Sequence, residues 1–140
     1  MSTLYVSSTI SYSAASLMVN AAVDAALAAN TAICAAVLDS RGSLKAFAAM
    51  DGSPAIAQGM CQRKAYTALL GLSSEGLGEA IKLQPPMLTS FAAQEGVALI
   101  GGGLPIIIDG QIVGAIGVGG ALTEQDIAFA QAALASIEQP

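Results

Sequence analysis

Few residues of this chain could do chemistry, because it contains no histidine. That absence excludes Ser-His and Cys-His nucleophile pairs, histidine-based zinc sites and the commonest axial ligand of haem iron. The two cysteines, Cys34 and Cys61, are too few for a structural zinc site. They fall in a predicted strand and a predicted helix, which is typical of reduced, buried thiols. We therefore predict no metal site and no required cofactor.

Lys64 and Asp51 are the candidates for proton transfer. Lys64 falls among apolar residues of a predicted helix, where it could contact an anion or carry a proton once burial has made it reactive. The competing interpretation is a lysine whose aliphatic stem packs at a subunit contact. Asp51 lies in a predicted turn, where aspartate commonly serves local hydrogen bonds. Asp126 opens a predicted helix, where a negative charge suits the helix dipole.

Two glycine-rich segments could let a ligand approach the backbone closely. The first is Gly101-Gly102-Gly103 followed by Pro105, and the second includes Gly117 and Gly119 ahead of a predicted helix. Backbone N–H groups at such a junction can hold a carboxylate or phosphate. Leu122 replaces the third glycine of a dinucleotide fingerprint, and no P-loop lysine follows. With Thr67, these positions are the predicted ligand-binding residues; simple bends at strand ends are the alternative.

The composition limits the partners. Charged residues make up 11% of the 140-residue chain and hydrophobic residues 54%, with a net charge of −5. Five cationic side chains spread along the sequence form no basic patch, which argues against a nucleic-acid partner. So few charges cannot cover the surface of a folded monomer, and large apolar patches usually become interfaces. We therefore predict a homo-oligomer.

The high mean hydropathy of +0.66 raises the question of a membrane protein. The most apolar stretch, residues 97–122, is interrupted by repeated glycines and a proline, which indicates strands and tight turns rather than a spanning helix. No basic segment precedes an apolar run at the N-terminus. We therefore predict no membrane association and a cytoplasmic location.

The order of predicted elements favours a single α+β domain over residues 1–140, with an antiparallel sheet. Ser11 or Ser13 caps a first helix, Ser53 caps the helix with Pro54 at its start, and Thr123 caps the last helix. The predicted helices cover residues 13–29, 54–70, 74–83, 86–95 and 124–137, and the predicted strands cover residues 32–39, 43–50, 97–100, 104–108 and 111–118.

Five motifs follow one another along the chain: VLDSRGSLKAFAAMDG at residues 37–52, KAYTA at 64–68, GGLPI at 102–106, VGAIGVGG at 113–120 and QD at 125–126. Together they resemble the GlcG/HbpS-like family, which also includes the C-terminal domain of PduO-type proteins. The resemblance extends from the first helix to the last. It implies a profilin-like α/β/α arrangement around a five-stranded antiparallel sheet, and assembly into higher oligomers.

The resemblance also implies a function. Some members of the family bind haem or related tetrapyrroles, and others accompany glycolate or diol metabolism. We therefore predict an oligomeric binding or accessory protein that holds a small organic acid, or a tetrapyrrole, between the 101–105 turn and the helix carrying Lys64 and Thr67. The absence of histidine disfavours haem, because Tyr, Met, Cys or Lys would have to ligate the iron. A cofactor-free isomerase, tautomerase or lyase using Lys64 or Asp51, and a purely structural oligomer, are the alternatives.

Overall fold

Five helices and four strands make up residues 1–137, the part of the chain that the computed structural model describes. The α+β class predicted from the sequence is correct, whereas residues 138–140 of the predicted domain lie outside the described residues. The elements are α1 (Tyr12–Ala28), β1 (Cys34–Asp39), β2 (Leu44–Ala49), α2 (Ala57–Ala68), α3 (Ser74–Ile81), α4 (Pro85–Ala92), β3 (Gly103–Ile108), β4 (Gln111–Gly119) and α5 (Thr123–Ala135).

The sheet has four antiparallel strands in the order β2-β1-β4-β3, so the prediction of five strands is wrong. The strand predicted at residues 97–100 does not form, because helix side chains take its backbone groups. The N–H of Ala98 donates to Thr67 Oγ1 at 2.9 Å, and the carbonyl of Ile100 accepts from the hydroxyl of Ser74. These bonds hold the segment against α2 and α3 instead of at a sheet edge.

Helices cover both faces of the sheet. Alternate side chains of a strand point to opposite faces, and β1 shows the consequence. Ala35 and Val37 pack with α1 and α5 in the main core, whereas Cys34, Ala36 and Leu38 pack against α2. The sheet is therefore the middle layer of an α/β/α arrangement, and α2 lies on the face opposite the main core.

Glycines let the backbone of α2 lie directly on the sheet. A Cβ on Gly117 would overlap the carbonyl oxygen of Cys61, and a Cβ on Gly103 would overlap the carbonyl oxygen of Lys64. Only glycine allows so close an approach of helix and strand. This packing fixes the position of α2 and turns Lys64 towards the protein interior.

The turn signals of the sequence are largely confirmed. Ser11 caps α1, since its hydroxyl accepts from the N–H of Ala14 at 3.2 Å. Asp109 and Gly110 adopt φ values of 51° and 75° and join β3 to β4 as a two-residue hairpin turn.

Two predicted helix caps are wrong. The helix predicted from Pro54 begins at Ala57, and the hydroxyl of Ser53 donates to the carbonyl of Met50 at 2.7 Å instead of capping it. The N-cap of α5 is Leu122 rather than Thr123. No helix within residues 1–137 is long and apolar enough to cross a membrane.

Candidate functional site

Lys64 forms a buried ion pair. Its Nζ donates to Asp126 Oδ2 at 2.9 Å and to the carbonyl of Val118 at 3.0 Å. Lys64 is 3% exposed and Asp126 is 2% exposed. The pair joins α2 to the beginning of α5 at the end of β4, so three elements meet at one ammonium group.

Both carboxylate oxygens of Asp126 accept hydrogen bonds from the fold. Its second oxygen, Oδ1, accepts from the N–H of Ala121 at 3.1 Å. Burial raises the pKa of Asp126 above its ordinary value, while the hydrogen bond and the charge of Lys64 oppose that rise. The sequence predicted a helix-opening role for this aspartate, which it has, but not its contact with Lys64.

Asp51, the other predicted proton carrier, lies elsewhere. It is exposed in the turn after β2, and within residues 1–137 the ion-pair partner of Lys64 is Asp126, not Asp51. The structure thus does not join the two residues in one pair, and their proposed catalytic roles stay predictions.

Five of the seven predicted ligand residues lie in α2 or face it, and the helix itself fills the space beside them. Gly102 has φ +127° and lies against the side chain of Lys64, and Gly103 faces the backbone of the same residue. The hydroxyl of Thr67 donates to the carbonyl of Arg63 at 2.7 Å and accepts from Ala98. These contacts give each residue a packing role.

Gly117 and Gly119 also face the backbone of α2, at Cys61. The other two predicted ligand residues lie elsewhere. Gly101 faces the side chains of Thr123 and Ile127, and Pro105 lines a separate surface pocket between the later residues of β3 and the end of α5. Ligand binding by these residues stays a prediction.

The two cysteines are free and completely buried, as the sequence predicted, and they belong to one small cluster with Ala36 and Ala57. Burial raises the pKa of Cys61 to about 12. The thiolate is the nucleophilic and metal-binding form of cysteine, so Cys61 remains an unreactive thiol at neutral pH.

Two neighbouring surface clefts that share Tyr66 lie on the outer side of α2. The first has a volume of about 350 Å³; its walls are largely apolar and it contains Arg41. The second has a volume of about 200 Å³ and contains Arg63. The apolar lining of the first cleft comes from Leu69, Leu70, Leu77, Phe91 and Val97, beside the polar residues Ser40 and Thr67.

Tyr66 is held in place by two glycines. A Cβ on Gly96 would lie 2.9 Å from the tyrosine ring, and one on Gly42 would lie 3.4 Å from it. Gly42 has φ +88° in the turn between β1 and β2, and that turn also carries Arg41. The ring is therefore fixed between two backbone segments while half of its side chain stays exposed.

Both arginines of the chain thus lie in clefts that share one tyrosine. Neither has an ion-pair partner among residues 1–137, whereas Lys64 pairs with Asp126 and Lys82 with Glu79. Sequence reasoning missed this site except for Thr67, a predicted ligand residue that lines the first cleft. A signal was present, since the Arg41-Gly42 turn and Tyr66 fall inside two of the motifs, but nothing in the sequence placed them next to each other.

Comparison with known proteins gives the relationship. Residues 10–135 match the family model described as "Haem degrading protein HbpS-like". The chain belongs to the HbpS-like family. This HbpS-like chain is 35% identical over 116 residues to protein GlcG of Escherichia coli K12, covering 78% of this chain and 80% of GlcG. It is 33% identical over 128 residues, 90% of each chain, to an uncharacterized 15.0 kDa protein of the dhaT-dhaS intergenic region of Citrobacter freundii.

Solved structures agree with this relationship. The Klebsiella pneumoniae protein ORFY superimposes with a TM-score of 0.88 at 31% identity, over 97% of this chain and 95% of its own. The crystal structure of a PduOC–heme complex superimposes with a TM-score of 0.83 at 26% identity, over 92% of this chain and 95% of its own. The predicted family is therefore confirmed.

The relationship raises the question of whether this chain's residues fit haem. The described residues 1–137 contain no cluster of three or more His, Cys, Asp or Glu side chains able to hold a bare metal ion. Haem iron can instead be held by a single tyrosine. Tyr66, which lines both clefts and is half exposed, fits that role, whereas Cys61 is a buried, protonated thiol.

Proposed function

We propose that this HbpS-like chain is a homo-oligomeric binding protein for a small organic acid, held in the two clefts beside Tyr66. One observation carries the proposal. In a chain with a net charge of −5 and five cationic side chains, each cleft is lined by an arginine that has no ion-pair partner among residues 1–137. The overall charge repels anions, whereas these arginines attract an anion to the clefts.

The chemistry of the lining favours a carboxylate with an apolar body. A guanidinium group donates two parallel hydrogen bonds to a carboxylate, which fixes the orientation of the acid as well as its charge. The leucines and Phe91 supply an apolar wall of the kind that covers the carbon skeleton of a bound small molecule. Arg41 or Arg63 would hold the acid group, and the ring of Tyr66 would separate the two positions.

Haem is the second candidate ligand, favoured by two observations. The similar PduOC structure is described as a heme complex, and Tyr66 offers an oxygen donor beside two clefts that each contain an arginine, a cation that suits the carboxylates of a porphyrin. Bound haem would supply redox chemistry. The residues of this chain would bind its edge, and Tyr66 would hold the iron.

The alternative of a proton-transferring enzyme has weaker support. The ammonium of Lys64 already donates to Asp126 and Val118 in a nearly closed interior, so a substrate would have to displace one of these oxygens. We assign Lys64 a structural role. A purely structural oligomer remains the alternative if no ligand binds.

Thermal denaturation against a panel of small carboxylic acids tests the main proposal. A compound that binds only the native state raises the apparent melting temperature, so we expect a subset of acids to do so while the matching amides do not. The amides control for the apolar part of each compound. A melting temperature unchanged by every acid at millimolar concentration would overturn the proposal.

Titration with hemin tests the second candidate. We expect a shifted Soret band that changes in position or intensity when Tyr66 is replaced in Tyr66→Phe, and does not change in the control Tyr12→Phe, whose ring is exposed on α1. A Soret band identical in both variants, or none at all, would remove haem as a ligand of this site.

A further inference from the structure

The N-terminal segment is anchored firmly at one point. The hydroxyl of Thr9 accepts from the N–H of Ser40 at 2.9 Å and donates to the carbonyl of Val113 at 3.3 Å. The N–H of Ile10 donates to the same carbonyl at 2.9 Å. Thr9 thus ties the start of the chain to the β1–β2 turn and to β4, and it fixes the direction in which residues 1–8, here called the arm, leave the domain.

Beyond that anchor the arm has apolar side chains that the rest of residues 1–137 leaves exposed. Leu4, Tyr5 and Val6 are 79%, 92% and 89% exposed. The side-chain hydrogen bonds of residues 1–8 are confined to Ser2 and Leu4. The arm contains no charged side chain. Three consecutive exposed apolar residues in an uncharged segment are costly in water and favour burial against another surface.

A receiving surface lies beside the arm's own anchor. The arm, Arg41 and the first residues of β4 enclose an open space of about 450 Å³. Ile112 lines that space and pairs with Ile107 of β3 across the hairpin, and both isoleucines are exposed. The same Arg41 lines the larger of the two Tyr66 clefts.

We propose that two copies of this chain exchange their arms. The arm of each copy packs on Ile107 and Ile112 of the other copy and forms the outer wall of that copy's Arg41 cleft. A second copy is the fitting occupant because arm and receiving surface are neighbours on one chain. A two-fold axis between them therefore brings both arms onto both surfaces at once, as a self-complementary interface requires.

The dimensions allow this exchange. Eight extended residues span about 26 Å at 3.3 Å each, whereas a folded chain of this length has a radius of gyration of about 14 Å. The arm is thus long enough to cross the boundary to a neighbour and lie along its hairpin. The arm exchange does not depend on the proposed function. Only the claim that the arm forms a wall of the ligand cleft rests on it.

The mass of the assembly in solution tests the exchange. We expect the variant Leu4→Ser/Tyr5→Ser/Val6→Ser to have at most half the mass of the parent in multi-angle light scattering at the same concentration. The matched control, Leu27→Ser/Leu83→Ser/Leu122→Ser, replaces three exposed leucines elsewhere and should keep the parental mass. Circular dichroism of each variant confirms that it is folded. A monomeric parent, an arm variant of unchanged mass, or an equal loss in both variants would overturn the proposal.

A cross-link between different chains identifies the contact itself. A tagged Val6→Cys chain is mixed with an untagged Ile112→Cys chain and oxidised. We expect a disulfide-linked band containing one tagged and one untagged chain. The control mixture replaces Ile112→Cys with Leu27→Cys, on α1, and should give no such band. Absence of the mixed band from the first pair, or its equal formation in the control, contradicts the proposed contact.

The arm exchange and the ligand proposal can be overturned independently of each other. If the arm variant loses mass while no acid binds the parent, the exchange holds and the ligand proposal fails. If acids bind the parent, we expect the arm variant to bind them at least fivefold more weakly. Unchanged affinity would contradict the claim that the arm forms a wall of the cleft.

Discussion

Lys64 illustrates how far sequence reasoning reaches at a single residue. Its place among apolar residues of a predicted helix indicated contact with an anion, proton transfer or packing of its aliphatic stem, and the structure provides an anionic partner in Asp126. The partner could not be predicted, because 62 positions separate the two residues and only the packing of α2 and α5 against the sheet brings them together. Asp51, the other candidate for proton transfer, is exposed in its turn.

Replacing Lys64 with methionine should lower the free energy of unfolding by about 3–5 kcal/mol, because it leaves the carboxylate of Asp126 buried without its cation. Urea denaturation at pH 7 measures the change. The double variant Lys64→Met/Asp126→Asn removes both charges and keeps an acceptor for Ala121, so it should recover at least half of the loss. A single variant as stable as the parent would contradict the structural role of the pair.

The loss should also depend on pH. Without Lys64, the hydrogen bond and the charge that it contributes no longer lower the pKa of Asp126. Burial is then opposed only by the hydrogen bond from Ala121, so the folded-state pKa rises further above the ordinary value of 3.8. Protonation then favours the folded state, and the corresponding stability is present below the unfolded pKa and lost as pH rises through the folded one. The deficit of Lys64→Met relative to the parent should therefore shrink between pH 7 and pH 4. A deficit that grows towards pH 4 would show that another group dominates.

The cysteines should be inert in the native protein. Burial and a pKa of about 12 keep Cys61 protonated, and Cys34 is completely buried. Titration with an aromatic disulfide reagent at pH 8 should detect almost no thiol in the folded chain and both thiols in denaturant. Rapid reaction of one thiol without denaturant would mean that the α2 side of the sheet opens readily.

At the scale of secondary-structure elements, the sequence correctly predicted a turn and a helix cap, both of which depend on neighbouring residues. The Asp109-Gly110 turn and the Ser11 cap formed as expected, because a two-residue hairpin and a helix start depend on the conformations of adjacent residues. The strand predicted at residues 97–100 failed because its outcome depended on distant partners. The side chains of Thr67 and Ser74 bind its backbone, and no sequence pattern indicates this.

The close contact of α2 with the sheet makes a prediction about glycines. Gly117→Ala should reduce the free energy of unfolding by about 2 kcal/mol or more, since its Cβ would overlap the carbonyl of Cys61 and the backbone must move apart. Gly59 lies in α2 itself, and the carbon added by Gly59→Ala would have no other atom within 4 Å. This substitution should raise stability by about 0.5–1 kcal/mol through better helix propensity. Equal effects of the two substitutions in chemical denaturation would refute this packing.

For the whole molecule, low charge and high apolar content predicted association, and the family relationship followed from motifs spread along the chain. The clefts beside Tyr66 could not be predicted in this way. Their walls come from β1, β2 and the turn between them, from α2, α3 and α4, and from residues after α4, which meet only once the helices are packed. Sequence analysis found the glycines that support this packing and interpreted them as the ligand site.

The most direct test of the proposed site is calorimetric titration of the acid that most raises the melting temperature. We compare the parent, Arg41→Gln/Arg63→Gln and the control Lys45→Gln, which removes one positive charge from β2 outside both clefts. The account predicts at least a tenfold weaker affinity for the double arginine variant, with an unchanged assembly mass, and an affinity within twofold of the parent for the control. An acid that binds the double arginine variant as tightly as the parent would contradict it.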